Sequence, residues 1–143
     1  MVDRAKATDA AAIAGLAAQM WEHPVDKLAQ KLEQIITGDD GVIYVAMEDG
    51  KIIGFAQCQL RYDYVEGTHS SPVGYLEGIF VDSKYRRQGY AEKLLAACEA
   101  WAKERGCSEF ASDCELLNRE SLSFHLHLGF QEVNRIICFK KEL

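Results

Sequence analysis

The chain has 143 residues, one domain's worth, and 48% of them are hydrophobic, enough to bury a core. Charged residues at 27% and only two prolines exclude a disordered chain. A net charge of −6 excludes broad nucleic-acid binding, which needs a basic face, and suits either a cationic partner or plain solubility.

No linker, repeat or low-complexity tract interrupts residues 1–143, which read as a single domain. Val2 to Ala5 is a short first strand. Thr8-Asp9 supplies a helix N-cap. The Ala-rich helix after it runs through Ile13, Leu16, Ala17 and Met20 to near Trp21. Pro24 opens a second helix with apolar positions Leu28, Leu32, Ile35 and Ile36, and Gly38 ends it. Val42 to Met47 reads as a strand, Asp49-Gly50 as a hairpin turn, and Lys51 to Tyr62 as the returning strand. Asp63 to Pro72 is a polar loop, and Tyr75 to Val81 is the next strand. A helix running to Arg105 then places Ala91, Leu94, Leu95, Cys98, Trp101 and Ala102 on one face, and Gly106 closes it. Glu109 to Asp113 is a short strand, and Asn118 to Leu128 a helix ended by Gly129. Gln131 to Lys140 reads as a last strand at a sheet edge or an interface. The order β-α-α-β-β-β-α-β-α-β predicts an α/β chain of the α+β, mixed-sheet kind with helices on both faces.

Five cysteines, an odd number without a C-x-x-C pair, sit mostly in apolar patterns. They read as reduced core thiols of a reducing compartment. Cys114, next to Asp113, is read as a buried spectator thiol. The N-terminus does not read as a signal peptide, and no stretch approaches the ~20 apolar residues of a membrane span. The expected location is cytoplasmic. The four histidines show no ligand spacing with Cys or acidic residues, so no metal is expected.

The most informative stretch is Arg86-Arg87-Gln88-Gly89-Tyr90-Ala91, between a strand and an amphipathic helix. The first amides of a helix have no partner inside it, and the helix dipole favours negative charge there. Gly89 lets the backbone approach a ligand closely, and Arg86 and Arg87 can add charge-assisted contacts. The turn therefore reads as a phosphate cradle, although a solvated basic turn has the same composition. It is neither a Walker loop nor a dinucleotide fingerprint.

The strand Ile79-Phe80-Val81, the R-x-x-G-x-A turn at Arg86 to Ala91 and the closing Leu128-Gly129-Phe130 stand in one order and spacing. In these the chain resembles the GCN5-related N-acetyltransferase superfamily over nearly its whole length. The resemblance implies a mostly antiparallel sheet with a splayed parallel strand pair. It also implies acetyl-CoA as cofactor, with Ile79, Phe80 and Val81 holding the pantetheine by main-chain hydrogen bonds. Arg86, Arg87, Gln88, Gly89, Tyr90 and Ala91 would hold the pyrophosphate. Asn118 and Ser121 would flank the cofactor arm, although N-capping and solvation are their ordinary roles.

A closer resemblance is carried by Arg61 to Gly67, Ser70-Ser71-Pro72-Val73, Leu76 to Val81 and Ala111-Ser112-Asp113. These look like the aminoglycoside 6'-N-acetyltransferases, enzymes of antibiotic resistance. The implied reaction is direct attack of a primary amine on a thioester, so the site must bind an ammonium and remove a proton. Glu77, unusual in an apolar strand, is either a water-linked base or half of an ion pair with an arginine. Asp113, at a strand end, either binds the substrate amine and can serve as base, or caps a turn; the base is Glu77 or Asp113. Tyr64 hydrogen-bonds the thioester, orients the substrate, or packs on the core. His125 occupies the place where many relatives carry an acidic tyrosine; the acid is His125, Tyr64 or solvent. Trp21 can stack on a sugar ring or lie in the core. Glu22, Asp63, Glu66 and Glu115, with Glu77 and Asp113, can hold ammonium groups. Asn134 replaces an acid found in some relatives. The acceptor is an aminoglycoside, or alternatively a polyamine, another small amine or a protein N-terminus. A binding module that senses acyl-CoA without turnover is the reading from another class. Relatives imply a homodimer, for which Ile136, Ile137, Cys138 and Phe139 are the candidate interface.

Overall fold

The computed structural model describes residues 1–143. One five-stranded sheet runs in the order β1 (Val2–Arg4), β2 (Gly41–Glu48), β3 (Lys51–Arg61), β4 (Val73–Val81) and β5 (Phe110–Ser112). The first four strands are antiparallel neighbours, and β4 pairs with β5 in parallel. The mixed sheet and the parallel pair are as expected.

The helices divide between the two faces because side chains alternate along each strand. Ile43, Val45 and Phe55 point to one face and are covered by α1 (Ala10–Ala17) and α2 (Val25–Thr37) through Ile13, Ala14, Ala17, Leu28 and Leu32. Val42, Ala46, Ala56 and Cys58 point to the other and are covered by α3 (Tyr90–Glu104) through Leu94, Leu95, Cys98, Trp101 and Ala102. Burial of each large side chain, Phe55 for example, contributes roughly 1.5–3 kcal/mol. All of the α3 stripe read from periodicity except Ala91 is fully buried.

Local signals act as written in most places. The Asp9 carboxylate accepts from the Lys6 amide (2.8 Å), but it caps a 3-10 turn at Ala7–Asp9 that precedes α1. Asp49 and Gly50 both have positive φ, 50° and 74°, as a tight hairpin between β2 and β3 requires. Asn118 caps α4 (Arg119–His127) by accepting from the Ser121 amide at 3.0 Å. Of the cysteines, Cys58, Cys98 and Cys107 are buried and Cys138 is exposed; Cys114, expected to be buried, is exposed because β5 ends at Ser112 before reaching it, and all five are free.

Residues 131–140 do not form a strand. No backbone–backbone hydrogen bond involves residues 131–143, and the last one donated before them runs from the Phe130 amide to the His125 carbonyl. Val133, Ile136, Ile137 and Phe139 are 62–90% exposed. The alternation is strand-like, but a strand exists only where a neighbour accepts its hydrogen bonds. Within one chain the free edge of β5 is not joined by this segment.

The sheet opens where β4 and β5 part. Their ladder ends at Leu76↔Ser112, and β4 continues alone on that side to Val81. On the other side β4 pairs with β3, but Cys58 faces Leu76 and Gln57 faces Gly78, so Glu77 is an extra, unpaired residue. Such a β-bulge increases local twist and re-aims a side chain. The bulge therefore sits at the fork and turns the rest of β4 away from β5.

Candidate active site

A cleft of about 880 Å³ enters this fork, bounded by β4, the end of β5, α4 and the turn before α3. At its basic end the turn is ready for an anion. Arg87 and Gly89 take left-handed conformations, φ 63° and 82°, and the amides of residues 86–92 have no acceptor within the protein. A run of outward amides alternating with left-handed residues is an anion-binding nest, extended here by the first turn of α3. A Cβ built on Gly89 meets nothing within 4 Å, so the glycine leaves open space over the nest. Arg86 Nε donates to the Val81 carbonyl (2.9 Å), tying the turn to the end of β4. Arg86, Arg87, Gly89, Tyr90 and Ala91 line the cleft, as do Ile79, Phe80, Val81, Asn118 and Ser121. Gln88 contributes its amide to the nest but does not line the cleft.

At the fork the first residues beyond the last ladder pair are both carboxylates, Glu77 on β4 and Asp113 after β5. Both line the cleft, with Glu115 beside them. Glu77 is paired: Arg61 Nη2 donates to both of its oxygens (2.9 and 3.0 Å), and Nε to Oε1 (3.2 Å). The ion pair is therefore present, and Glu77 also faces the cleft. The Arg61 guanidinium lies 3.5 Å above the Tyr75 ring, and the Tyr75 hydroxyl donates to Asp113. Burial first, and then this hydrogen bond to Asp113, push the Tyr75 phenol above its ordinary range, so it remains a donor. A single line of contacts thus joins Glu77, Arg61, Tyr75 and Asp113. Arg61 and Tyr75 were not singled out in the sequence as site residues; Tyr75 stands two residues before Glu77, the strand spacing that puts both on one face.

On the opposite side of the fork His125 is half-buried against Phe130, ring centroids 5.3 Å apart. Its Nδ1 is 2.7 Å from the Ser121 carbonyl and its Nε2 2.8 Å from Ser112 Oγ. His127 also lines the cleft and meets Glu92 on α3 at 3.5 Å. Trp21 lines the cleft and packs on Phe55, centroids 6.0 Å apart. Its ring crosses so close to Gly78 that a Cβ there would lie 2.5 Å from Cζ2.

The remaining candidates stand outside the cleft lining. Tyr64 is 75% exposed, and its hydroxyl accepts from the Gly67 amide (3.3 Å) within its own loop. Glu22 and Asp63 are exposed. Glu66 accepts from Asn134 Nδ2 (2.5 Å), so the tail reaches back over the β3–β4 loop.

The acetyltransferase (GNAT) family model matches residues 10–130. An aminoglycoside N(6')-acetyltransferase type 1 of Salmonella typhimurium is 44% identical over 128 residues, 89% of this chain and 88% of the relative. The solved structure of AAC(6')-Iy with the bisubstrate analogue CoA-S-monomethyl-acetylneamine superposes with TM-score 0.94 at 40% identity, covering 100% of this chain and 98% of that one. The aminoglycoside 6'-N-acetyltransferase AAC(6')-Ih of Acinetobacter baumannii superposes with TM-score 0.96 at 37% identity, covering 100% and 98%.

Proposed function

The chain belongs to the acetyltransferase (GNAT) family, in its aminoglycoside N(6')-acetyltransferase branch, and on that premise we propose that it acetylates the 6'-amine of aminoglycosides. The observation that carries this reading is one cleft with a nest of unpaired amides at one end and two carboxylates at the fork.

Acetyl-CoA, when bound, supplies a thioester whose acetyl group passes to the amine. The residues fit that ligand. The amides of residues 86–92, with Arg87, hold its pyrophosphate, and the β4 edge beyond Leu76 offers the pantetheine main-chain partners. Asp113 binds the incoming ammonium and takes its proton, directly or through water. Its partner Tyr75 is neutral and brings no positive charge to it, whereas Arg61 is paired with Glu77. Glu77 orients the approach and holds a water. Trp21 offers an aromatic face to a sugar ring. His125 serves the leaving group from the other side of the fork.

A thiol-release assay with acetyl-CoA, kanamycin-type aminoglycosides and polyamines tests the reading. Turnover with aminoglycosides alone is expected. Turnover with polyamines alone would assign the second acceptor class, and CoA binding without thiol release would leave a sensor.

We also propose a homodimer. It is supported by the exposed apolar tail, by the open edge of β5 and by α4, which buries no residue completely. A second copy would supply the backbone pairing and the cover that residues 131–143 lack. Sizing in solution of the full chain against Ile137→Asp should show a dimer and a monomer respectively. Three buried free thiols support a reducing, cytoplasmic setting.

A further inference from the structure

Ser112 stands at the last ladder position of the fork, opposite Leu76, and lines the cleft. Its hydroxyl has two partners on the protein, His125 Nε2 at 2.8 Å and the Leu76 carbonyl at 3.2 Å. The His125 ring is held from behind. Its Nδ1 meets the Ser121 carbonyl at 2.7 Å, and a carbonyl only accepts, so Nδ1 carries a proton. Neutral His125 therefore offers a bare Nε2, and Ser112 donates to it. When Nε2 is protonated as well, it donates to Ser112 Oγ. The Ser112 hydrogen must then turn away, towards the Leu76 carbonyl or into the cleft. The imidazole state thus switches the direction of a hydroxyl that opens on the reaction space.

We propose that Ser112 and His125 form a proton relay to the leaving group, with the Ser121 carbonyl fixing the histidine tautomer. The proposal rests on the acyl-transfer reading above. As the carbon–sulfur bond breaks, its electron pair leaves on sulfur. Ser112 gives its hydroxyl proton to that sulfur and takes the Nε2 proton of His125. His125 is left neutral, with Nδ1–H still on the Ser121 carbonyl, and regains a proton from solvent. The other titratable groups lining the cleft are Glu77 on β4, Asp113, Cys114 and Glu115 after β5, Glu120 and His127 on α4, and, on the α3 side, Tyr85, Arg86, Arg87, Tyr90 and Glu92. None of them hydrogen-bonds either His125 nitrogen; Ser121 Oγ, at 3.4 Å from Nδ1, is the remaining neighbour.

The test combines single-turnover kinetics with histidine 15N NMR of the free protein. Ser112→Ala should slow thiol release on the order of 100-fold, as loss of a positioned acid does, with unchanged KM for acetyl-CoA. Ser112→Thr, which keeps the hydroxyl, should restore most of that rate. His125→Gln should lose a similar factor. The double variant should be no slower than either single one, because members of one relay are not additive. In the NMR spectra His125 should carry its proton on Nδ1, and Ser112→Ala should move only the Nε2 resonance. Additive losses, a full rate in Ser112→Ala, or an unprotonated Nδ1 would each overturn the relay. Failure of the wild-type protein to release thiol with any amine would instead overturn the acyl-transfer reading, and the tautomer measurement stands apart from it.

Discussion

Arg61 and Glu77 are joined by three nitrogen–oxygen contacts of 2.9–3.2 Å across neighbouring strands, at the residue where β4 bulges. The pair is partly solvated, with side-chain exposures of 43% and 21%, so water screens much of its Coulomb energy. Removing one partner leaves the other charge half-buried beside the fork. Arg61→Met and Glu77→Gln should each cost about 1 kcal/mol in urea unfolding, the double variant less than the sum. A strictly additive cycle would show that the two side chains do not support each other.

Gly89 separates folding from binding. Its left-handed φ of 82° strains any residue with a Cβ, by about 1–2 kcal/mol, yet nothing lies within 4 Å to collide with one. Gly89→Val should therefore lower stability modestly and CoA affinity far more, by at least about tenfold, since a branched side chain would cover the nest. Calorimetric titration with CoA beside thermal unfolding separates the two effects. Unchanged CoA affinity would remove the phosphate role of the turn.

Tyr75→Phe deletes the donor on Asp113 and keeps the ring beneath Arg61. Acceptor turnover should fall about tenfold or more, with CoA binding intact. The same residue sets a pH dependence. Its folded pKa is raised above the unfolded value, so its stabilisation is complete below the ordinary tyrosine range and is lost as alkaline pH ionises the phenol. Wild-type protein should lose stability above about pH 10 more steeply than Tyr75→Phe. Parallel curves would mean that the hydroxyl is not selectively stabilised in the fold.

Gly78→Ala tests the seat of Trp21. The new methyl would stand 2.5 Å from the indole edge and 3.0 Å from Met20 Cε, so the ring must move. Overpacking of this kind costs about 1–3 kcal/mol. A shift in tryptophan emission together with a higher KM for the acceptor is expected, with CoA affinity preserved. Normal acceptor KM despite an altered emission would place Trp21 outside the acceptor site.

Much of the machinery for the anion was legible before any fold was known. Arg86 to Ala91 is local, and a glycine before an amphipathic helix carries its conformation with it. The carboxylates were legible as individuals, Glu77 because it interrupts an apolar run and Asp113 because it ends one. Their partners were not, because Arg61 and Tyr75 reach them only through strand register, and register includes a bulge that no residue type announces. Ser112 stood in the stretch that carried the resemblance, but its contact with His125 was not legible, because only packing brings α4 against the end of β5.

By itself the sequence determined the helices, the hairpin at Asp49-Gly50, the two-faced sheet and the basic glycine turn before α3. Those depend on periodicity and on backbone preferences within a few residues. Only the tertiary structure decided which carboxylate is paired with an arginine, which histidine nitrogen meets Ser112 and where Tyr64 goes. It also decided that residues 131–140, strand-like in pattern, stand alone in a single chain. Local patterns state what a segment can become, but a strand or a charge also needs a neighbour, and neighbours are assigned by packing across the whole chain.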